Sequence, residues 1–138
     1  MARSSYTVIY QAAKLGDVAH VLGDFALARR LDAEGIPIGR IFGNSAGALV
    51  AVAHGITLAA RAQPDRFTPQ AAHALADFEA FLRAAKSRHI RSLNWRGLPY
   101  GFYTLDPLKR WLTGRLRAYT GRADLSGLTF SSLMGGSP

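Results

Sequence analysis

The pattern of hydrophobic and polar positions in residues 1–62 alternates between strand and helix. Residues 6–10 are rich in β-branched and aromatic side chains and predict a strand, and residues 38–42 predict a second, short and buried strand. Between them, residues 25–34 repeat apolar side chains at helical spacing, and residues 48–62 predict a helix of small side chains. Strand, helix, strand, turn and helix in this order predict an α/β fold with a parallel sheet.

Local signals set the predicted ends of the first helix. Asp24 is the kind of residue that caps a helix N-terminus, and Gly35 is the kind that ends one. Residues 11–20 show no clear hydrophobic period, so we expect no regular element there.

The second half of the chain is predicted to be helical. Thr68 and Pro69 are a cap and first-turn signal for a helix over residues 71–85, in which Glu79 and Arg83 pair on the outer surface. Asp106 begins another predicted helix that Gly121 ends. Its apolar face consists of Leu108, Trp111, Leu112, Leu116 and Tyr119. We therefore expect residues 1–138 to form one partial domain, with the sheet in residues 5–62 and a basic helical part in residues 68–122.

Composition narrows the class of protein. The 138 residues are 49% hydrophobic and 19% charged, which is enough apolar material for a core. The absence of cysteine excludes disulfides, a thiol nucleophile and any cysteine-ligated metal or cluster. Seventeen basic and nine acidic side chains give a net charge of +8, which favours anionic partners.

The sequence predicts neither a signal peptide nor a transmembrane helix. The N-terminus has no apolar run of signal-peptide length. Residues 42–60 carry no formal charge, but glycines and polar side chains interrupt them, so they predict a buried helix of an α/β core. We therefore expect a cytoplasmic or peripheral membrane location.

The most informative motif is Gly43-x-Ser45-x-Gly47. A serine hydroxyl becomes a nucleophile when it is exposed at a sharp turn, near a base and near donors for an oxyanion. The motif follows a predicted strand and precedes a predicted helix, which is the setting of a nucleophile elbow. It predicts Ser45 as nucleophile, Gly43 and Gly47 as the residues that shape the turn, and the Ala46 amide as an oxyanion donor. The alternative is a glycine-rich turn that contains an ordinary serine.

Residues 33–49, AEGIPIGRIFGNSAGAL, resemble the patatin-like phospholipase family around its catalytic serine. Residues 100–112 and 128–130 are also similar to family sequence downstream of the serine. The resemblance implies part of a three-layer parallel sheet with flanking helices. It also implies hydrolysis of acyl esters in lipids by a Ser-Asp dyad, without a metal or another cofactor.

The chain departs from the family pattern in two places. The glycine-rich oxyanion loop of the family aligns with residues 18–23, where Gly23 is the one glycine retained, so we expect a degenerate loop. The family's Asp-Gly motif is absent from the chain. The aspartates after the serine are predicted to be caps or surface charges: Asp65, Asp77, Asp106 and Asp124. The chain is therefore predicted to be the front part of a patatin-like domain that does not itself turn over lipid esters.

A histidine-based triad is a rival catalytic interpretation. An α/β-hydrolase places its histidine far after the serine, whereas His54 lies in the helix that follows the motif. His73 and His89 are predicted to be solvated, on or just after a helix. His20, beside the degenerate loop, is predicted to be a partly exposed loop histidine.

Residues 83–122 suggest a function of a different class. They contain ten Lys and Arg residues and one acid, Asp106, with six aromatic residues interleaved. Such a mixture suits an anionic membrane surface or a nucleic acid, although no nucleic-acid module is recognisable. The alternative function is thus a non-catalytic basic module. The simplest interpretation of the segment is a solvated helical face with Trp111 and Tyr119 in the core.

Overall fold

The computed structural model describes residues 4–12, 18–85, 92–93 and 103–129, and these residues form an α/β structure. In chain order its main elements are β1 (Tyr6–Ala12), α1 (Val18–Ala33), β2 (Ile38–Ser45), α2 (Gly47–Ala62), α3 (Ala74–Ala84) and α4 (Asp106–Thr120). Two 3₁₀ segments, Pro64–Arg66 and Pro69–His73, lie between α2 and α3. A short antiparallel pair consists of β3 (Ser92–Leu93) and β4 (Tyr103–Thr104).

Strands β1 and β2 pair in parallel, as the order of elements predicts. Val8 and Tyr10 of β1 point into the core, while the register partners Ile9 and Phe42 are both about half exposed on the other face. The described residues therefore cover one face of this sheet.

Helix α1 begins earlier than predicted. Its buried face is Val21, Phe25 and Ala28, so apolar packing extends the helix by two turns in front of Asp24. Residues 18–23 are consequently helical and do not form a glycine loop. Gly23 is exposed in this helix, and a β-carbon there would meet nothing within 4 Å. The prediction that Gly23 lies in a degenerate glycine loop is thus wrong.

The predicted end of α1 is confirmed. Gly35 has φ of +64°, and its N–H donates to Asp32 O at 3.1 Å. The N–H of Ile36 donates to Leu31 O, also at 3.1 Å. This pair of hydrogen bonds is a Schellman motif, in which glycine takes the left-handed conformation.

Both predicted parts of the chain contribute to one core. Its members include Tyr10 and Phe25 from the first part and Phe78 and Tyr119 from the second. Trp111 is half buried and stacks on Phe81 with 4.0 Å between ring centroids. Trp111 and Tyr119 therefore belong to the core, as the simplest interpretation of the basic segment predicts.

The segment predicted as one helix over residues 71–85 is a 3₁₀ segment followed by α3. The predicted pair of Glu79 with Arg83 forms, at 2.9 Å, but Glu79 is buried and does not lie on the outer surface. Its second partner is Arg29 of α1, at 2.9 Å. Both guanidinium groups remain about half exposed, so this network joins α1 to α3 at the rim of the core.

No helix within the described ranges is both long and apolar enough to cross a membrane. The small-residue helix α2 is largely buried against its neighbours, in line with the expectation for residues 42–60.

Candidate active site

Ser45 is the last residue of β2, and α2 begins two residues later at Gly47. The side chain of Ser45 is exposed. The structure therefore has the strand, turn and helix that the motif predicts, with the serine at the turn.

The backbone of Ser45 is unusual. Its φ is +53°, and no other non-glycine residue of the described ranges has a positive φ. A side chain in this left-handed region crowds its own backbone and raises the energy by about 1–2 kcal/mol. Strain of this kind persists where surrounding packing enforces it, and it is concentrated at functional sites.

Gly43 explains how the turn is enforced. A β-carbon at this position would lie 2.5 Å from Gly47 O and 2.8 Å from Ala48 N. The strand thus passes directly against the first turn of α2, and only glycine fits there. Gly47 is itself buried in that turn.

The start of α2 determines the electrostatic environment of the turn at Ser45. Ala46 is helical, with φ of −61° and ψ of −26°, and its carbonyl accepts from Leu49 N at 3.1 Å. The first turn of α2 holds no acidic side chain, and no side chain caps the helix. Amides at a helix start carry partial positive charge, which favours a developing anion beside Ser45.

The parallel register places Ser45 at the carboxyl edge of the sheet. Ala12, at the end of β1, is the register partner of Ser45, and Tyr10 is the partner of Gly43. Sites of open α/β sheets lie at the carboxyl ends of parallel strands, and both strands end here.

A buried polar pair lies on the covered face of the sheet, between β1 and α2. Tyr10 Oη and His54 Nδ1 are 2.8 Å apart, and both side chains are fully buried. Burial lowers the pKa of His54, an effect that Asp32 opposes and Arg61 reinforces. Burial raises the pKa of Tyr10, and the charge of Asp24 raises it further. His54 is therefore a neutral core residue, as its place in the helix after the motif indicates.

The structure corrects the prediction for His20, which is not in a loop. His20 lies in the first turn of α1 and is exposed, one turn before Asp24. An apolar stripe that starts at Phe25 does not predict that both residues lie on one helix. Val21, one turn earlier, continues that stripe and is the signal that extends the helix.

Each of the four aspartates that follow Ser45 in the sequence has a structural contact or lies at an exposed position. Asp77 accepts a hydrogen bond from Tyr119 at 2.7 Å, and Asp106 opens α4. Asp65 is exposed in a 3₁₀ segment. Hydrogen bonds from Ser126 lower the pKa of Asp124, which lies in an exposed turn. These positions agree with the predicted caps and surface charges.

The remaining candidates are separate from the elbow or outside the described residues. His73 is exposed at the end of a 3₁₀ segment, and His89 lies outside the described residues. Two further sets also lie outside the described residues: residues 13–17, which join β1 to α1, and the Arg and aromatic residues of 86–91 and 94–102. Within the described ranges, no group of three or more His, Asp or Glu side chains is placed to hold a metal ion.

A basic surface occupies the solvent side of α4. Lys109, Arg110 and Arg117 are exposed and line an open depression of about 680 Å³. Its other lining residues are Asp106, Thr113 and Gly114. Leu105, immediately before the helix, is 55% exposed.

Comparison with protein-family models, with curated protein sequences and with solved structures found no match to this chain.

Proposed function

We propose that this protein is a serine acyl hydrolase that acts on lipid esters, with Ser45 as the nucleophile. The observation that carries the proposal is the positive φ of Ser45 at the junction of β2 and α2. The resemblance of residues 33–49 to patatin-like phospholipases supports a lipid ester as the substrate. On the same ground, β1 and β2 would be part of a three-layer patatin-like sheet.

Each residue of the motif has a role in this chemistry. The Ser45 oxygen attacks the ester carbonyl carbon while a base takes the hydroxyl proton, and the base returns that proton to the alcohol oxygen as the carbon–oxygen bond breaks. Water then attacks the acyl-serine, which releases the acid and restores the serine hydroxyl. The Ala46 amide and the positive end of α2 stabilise the oxyanion. Gly43 and Gly47 have no side chains, so the strand and helix approach closely enough to hold the serine in its strained conformation.

The test is covalent labelling with a fluorophosphonate, which reacts with activated serines. We expect one adduct per chain, located by mass spectrometry on the peptide that contains Ser45, and none in Ser45→Ala. Ser126→Ala is the matched control, because Ser126 is exposed in a turn distant in sequence from the elbow, and it should label like the native chain. Absence of label, or label that persists in Ser45→Ala, would contradict the function.

A second candidate function rests on the solvent face of α4. Three exposed cations, Lys109, Arg110 and Arg117, lie on this face beside the exposed apolar side chain of Leu105. Cations with an apolar anchor suit an anionic membrane surface better than a nucleic acid, for which stacking side chains are needed. A purely binding module has no reason to react with a phosphonate, so the same labelling separates the two functions.

A further inference from the structure

Two open depressions meet on the solvent side of α4. The first, of about 680 Å³, lies along the helix from Asp106 to Arg117. The second, of about 450 Å³, lies between Gln70 and the helix. Arg110 and Gly114 line both depressions, so the two form one continuous surface with these residues at its centre.

Gly114 leaves an opening between two arginine side chains. It lies four residues after Arg110 and three before Arg117, so all three share one side of α4, and the arginines are about 10 Å apart along the axis. A β-carbon on Gly114 would meet nothing within 4 Å. Glycine is unfavourable inside a helix, and here neither a positive φ nor a close contact requires it. Its structural consequence is therefore the open space between the two guanidinium groups.

The cations around this opening are available to a ligand. Among the described residues, no hydrogen bond or ion pair engages the side chains of Lys109 and Arg110. The Nε of Arg117 donates to Ala123 O at 2.9 Å, which holds this guanidinium group at one end of the opening. Asp106, the one acidic residue among the described lining residues, lies a turn before Arg110. The surface is therefore strongly cationic and suits an anionic group.

The aromatic ring beside this surface is already engaged. Trp111 stacks on Phe81 with 4.0 Å between ring centroids, and the Arg115 guanidinium lies 5.8 Å from the Trp111 ring centre. Arg115 also pairs with Asp77 at 3.8 Å. A single-stranded nucleic acid needs open aromatic faces on which its bases stack. The exposed side chain of Leu105, just before α4, instead suits insertion into a lipid surface.

We propose that the opening between Arg110 and Arg117 binds the phosphomonoester headgroup of an anionic lipid, as in phosphatidic acid. This inference rests on the second candidate function, membrane binding by α4, and names its lipid class. A phosphomonoester carries about 1.5–2 negative charges at neutral pH and three free oxygens, which can accept from both arginines and from the Thr113 hydroxyl. Charge-assisted hydrogen bonds from guanidinium groups are about twice as strong as neutral ones. The phosphodiester group of phosphatidylserine has less charge and fewer free oxygens, so it gains less from this opening.

The experiment measures co-sedimentation with vesicles that contain either phosphatidic acid or phosphatidylserine, at fractions adjusted to the same zeta potential. The native chain should bind the phosphatidic acid vesicles about tenfold more tightly, which corresponds to one additional charge-assisted hydrogen bond. Arg110→Gln should remove that preference and weaken binding to both kinds of vesicle. Equal affinity of the native chain for the two matched vesicles would overturn the inference.

Gly114→Gln separates the shape of the surface from its charge. Glutamine is a better helix former than glycine, so the variant should unfold at no lower urea concentration than the native chain. Its side chain fills the opening, so the preference for phosphatidic acid should disappear while binding to phosphatidylserine vesicles is unchanged. Gly23→Gln is the matched control, because Gly23 is also an exposed helix glycine with open space around it, and it should keep the preference. A preference that persists in Gly114→Gln would overturn the role of the opening.

Failure of the inference and failure of the membrane function give different results. If the native chain binds neither kind of vesicle, the membrane function fails and the inference with it. If it binds both kinds equally, the membrane function stands and the lipid class is wrong. Glycerol phosphate and a single-stranded oligonucleotide are then added as competitors, each at the concentration of the accessible lipid. Displacement from phosphatidic acid vesicles by either competitor would identify a soluble ligand and overturn the assignment to a lipid.

Discussion

The backbone of Gly43 lies so close to Ala48 that a β-carbon on Gly43 would be 2.6 Å from the Ala48 Cα. The three atoms nearest to that β-carbon all belong to the backbone, which no rotamer change can move. The contact therefore joins the end of β2 rigidly to the first turn of α2. It is the physical reason for the first glycine of the motif, independent of any catalytic role for Ser45.

We predict that Gly43→Ala destabilises the fold by about 1–3 kcal/mol or more, because the extra methyl group must separate β2 from α2. Gly23→Ala is the matched control. Its β-carbon would meet open space on the exposed side of α1, so it should stabilise the helix by about 0.5–1 kcal/mol. Urea unfolding of both variants measures the difference. Equal stability of the two would contradict the close approach at Gly43.

We also predict that Ser45→Gly is more stable than Ser45→Ala by about 1 kcal/mol. Alanine keeps a β-carbon in the left-handed region at φ of +53°, whereas glycine occupies that region without crowding. Urea unfolding of the two variants at one pH gives the comparison, and neither contains the serine hydroxyl. A more stable alanine variant would show that the backbone at position 45 is not strained.

The elbow was predictable from sequence because its signals are local. Gly43, Ser45 and Gly47 are adjacent in the chain, and the preceding strand and following helix have their own hydrophobic patterns. The start of α1 was not predictable from its cap signal, because burial of Val21 against the core outweighs the preference of Asp24 for a helix end.

Contacts between distant residues were likewise beyond the sequence pattern. Helical spacing predicts the pair of Glu79 with Arg83, four residues apart, but the other partner of Glu79, Arg29, is fifty residues away. The pairing of Tyr10 with His54 depends on the packing of α2 against β1 and has no local signal.

The Tyr10–His54 pair should make stability depend on pH. Burial holds the pKa of His54 below its ordinary value, so the unfolded chain binds a proton more readily than the folded one. The contribution is complete above about pH 6.5 and is lost as the pH falls below that value towards the lowered folded pKa. We expect unfolding free energy to fall by up to about 1.4 kcal/mol per pH unit in that range.

The variant that checks this is His54→Gln, measured by urea unfolding at pH 7.5 and pH 5.5. It should be less stable than the native chain at pH 7.5, because Tyr10 loses its partner, and its stability should depend less on pH. His73→Gln removes an exposed histidine and should keep the native pH dependence. An undiminished pH dependence in His54→Gln would show that His54 does not titrate differently in the folded state.

The basic face of α4 predicts binding to anionic membranes. Binding to phosphatidylserine-containing vesicles should increase with the fraction of anionic lipid and weaken as salt screens the exposed charges. Lys109→Gln together with Arg110→Gln removes two cations worth about 1 kcal/mol each near such a surface, so affinity should fall by roughly 30-fold. The double variant should unfold like the native chain, because both side chains are exposed.

Arg66→Gln is the control for the membrane experiment, since Arg66 is exposed in a 3₁₀ segment apart from α4, and it should bind nearly as well as the native chain. Equal binding to neutral vesicles at every salt concentration would show that the charge of this face does not drive association.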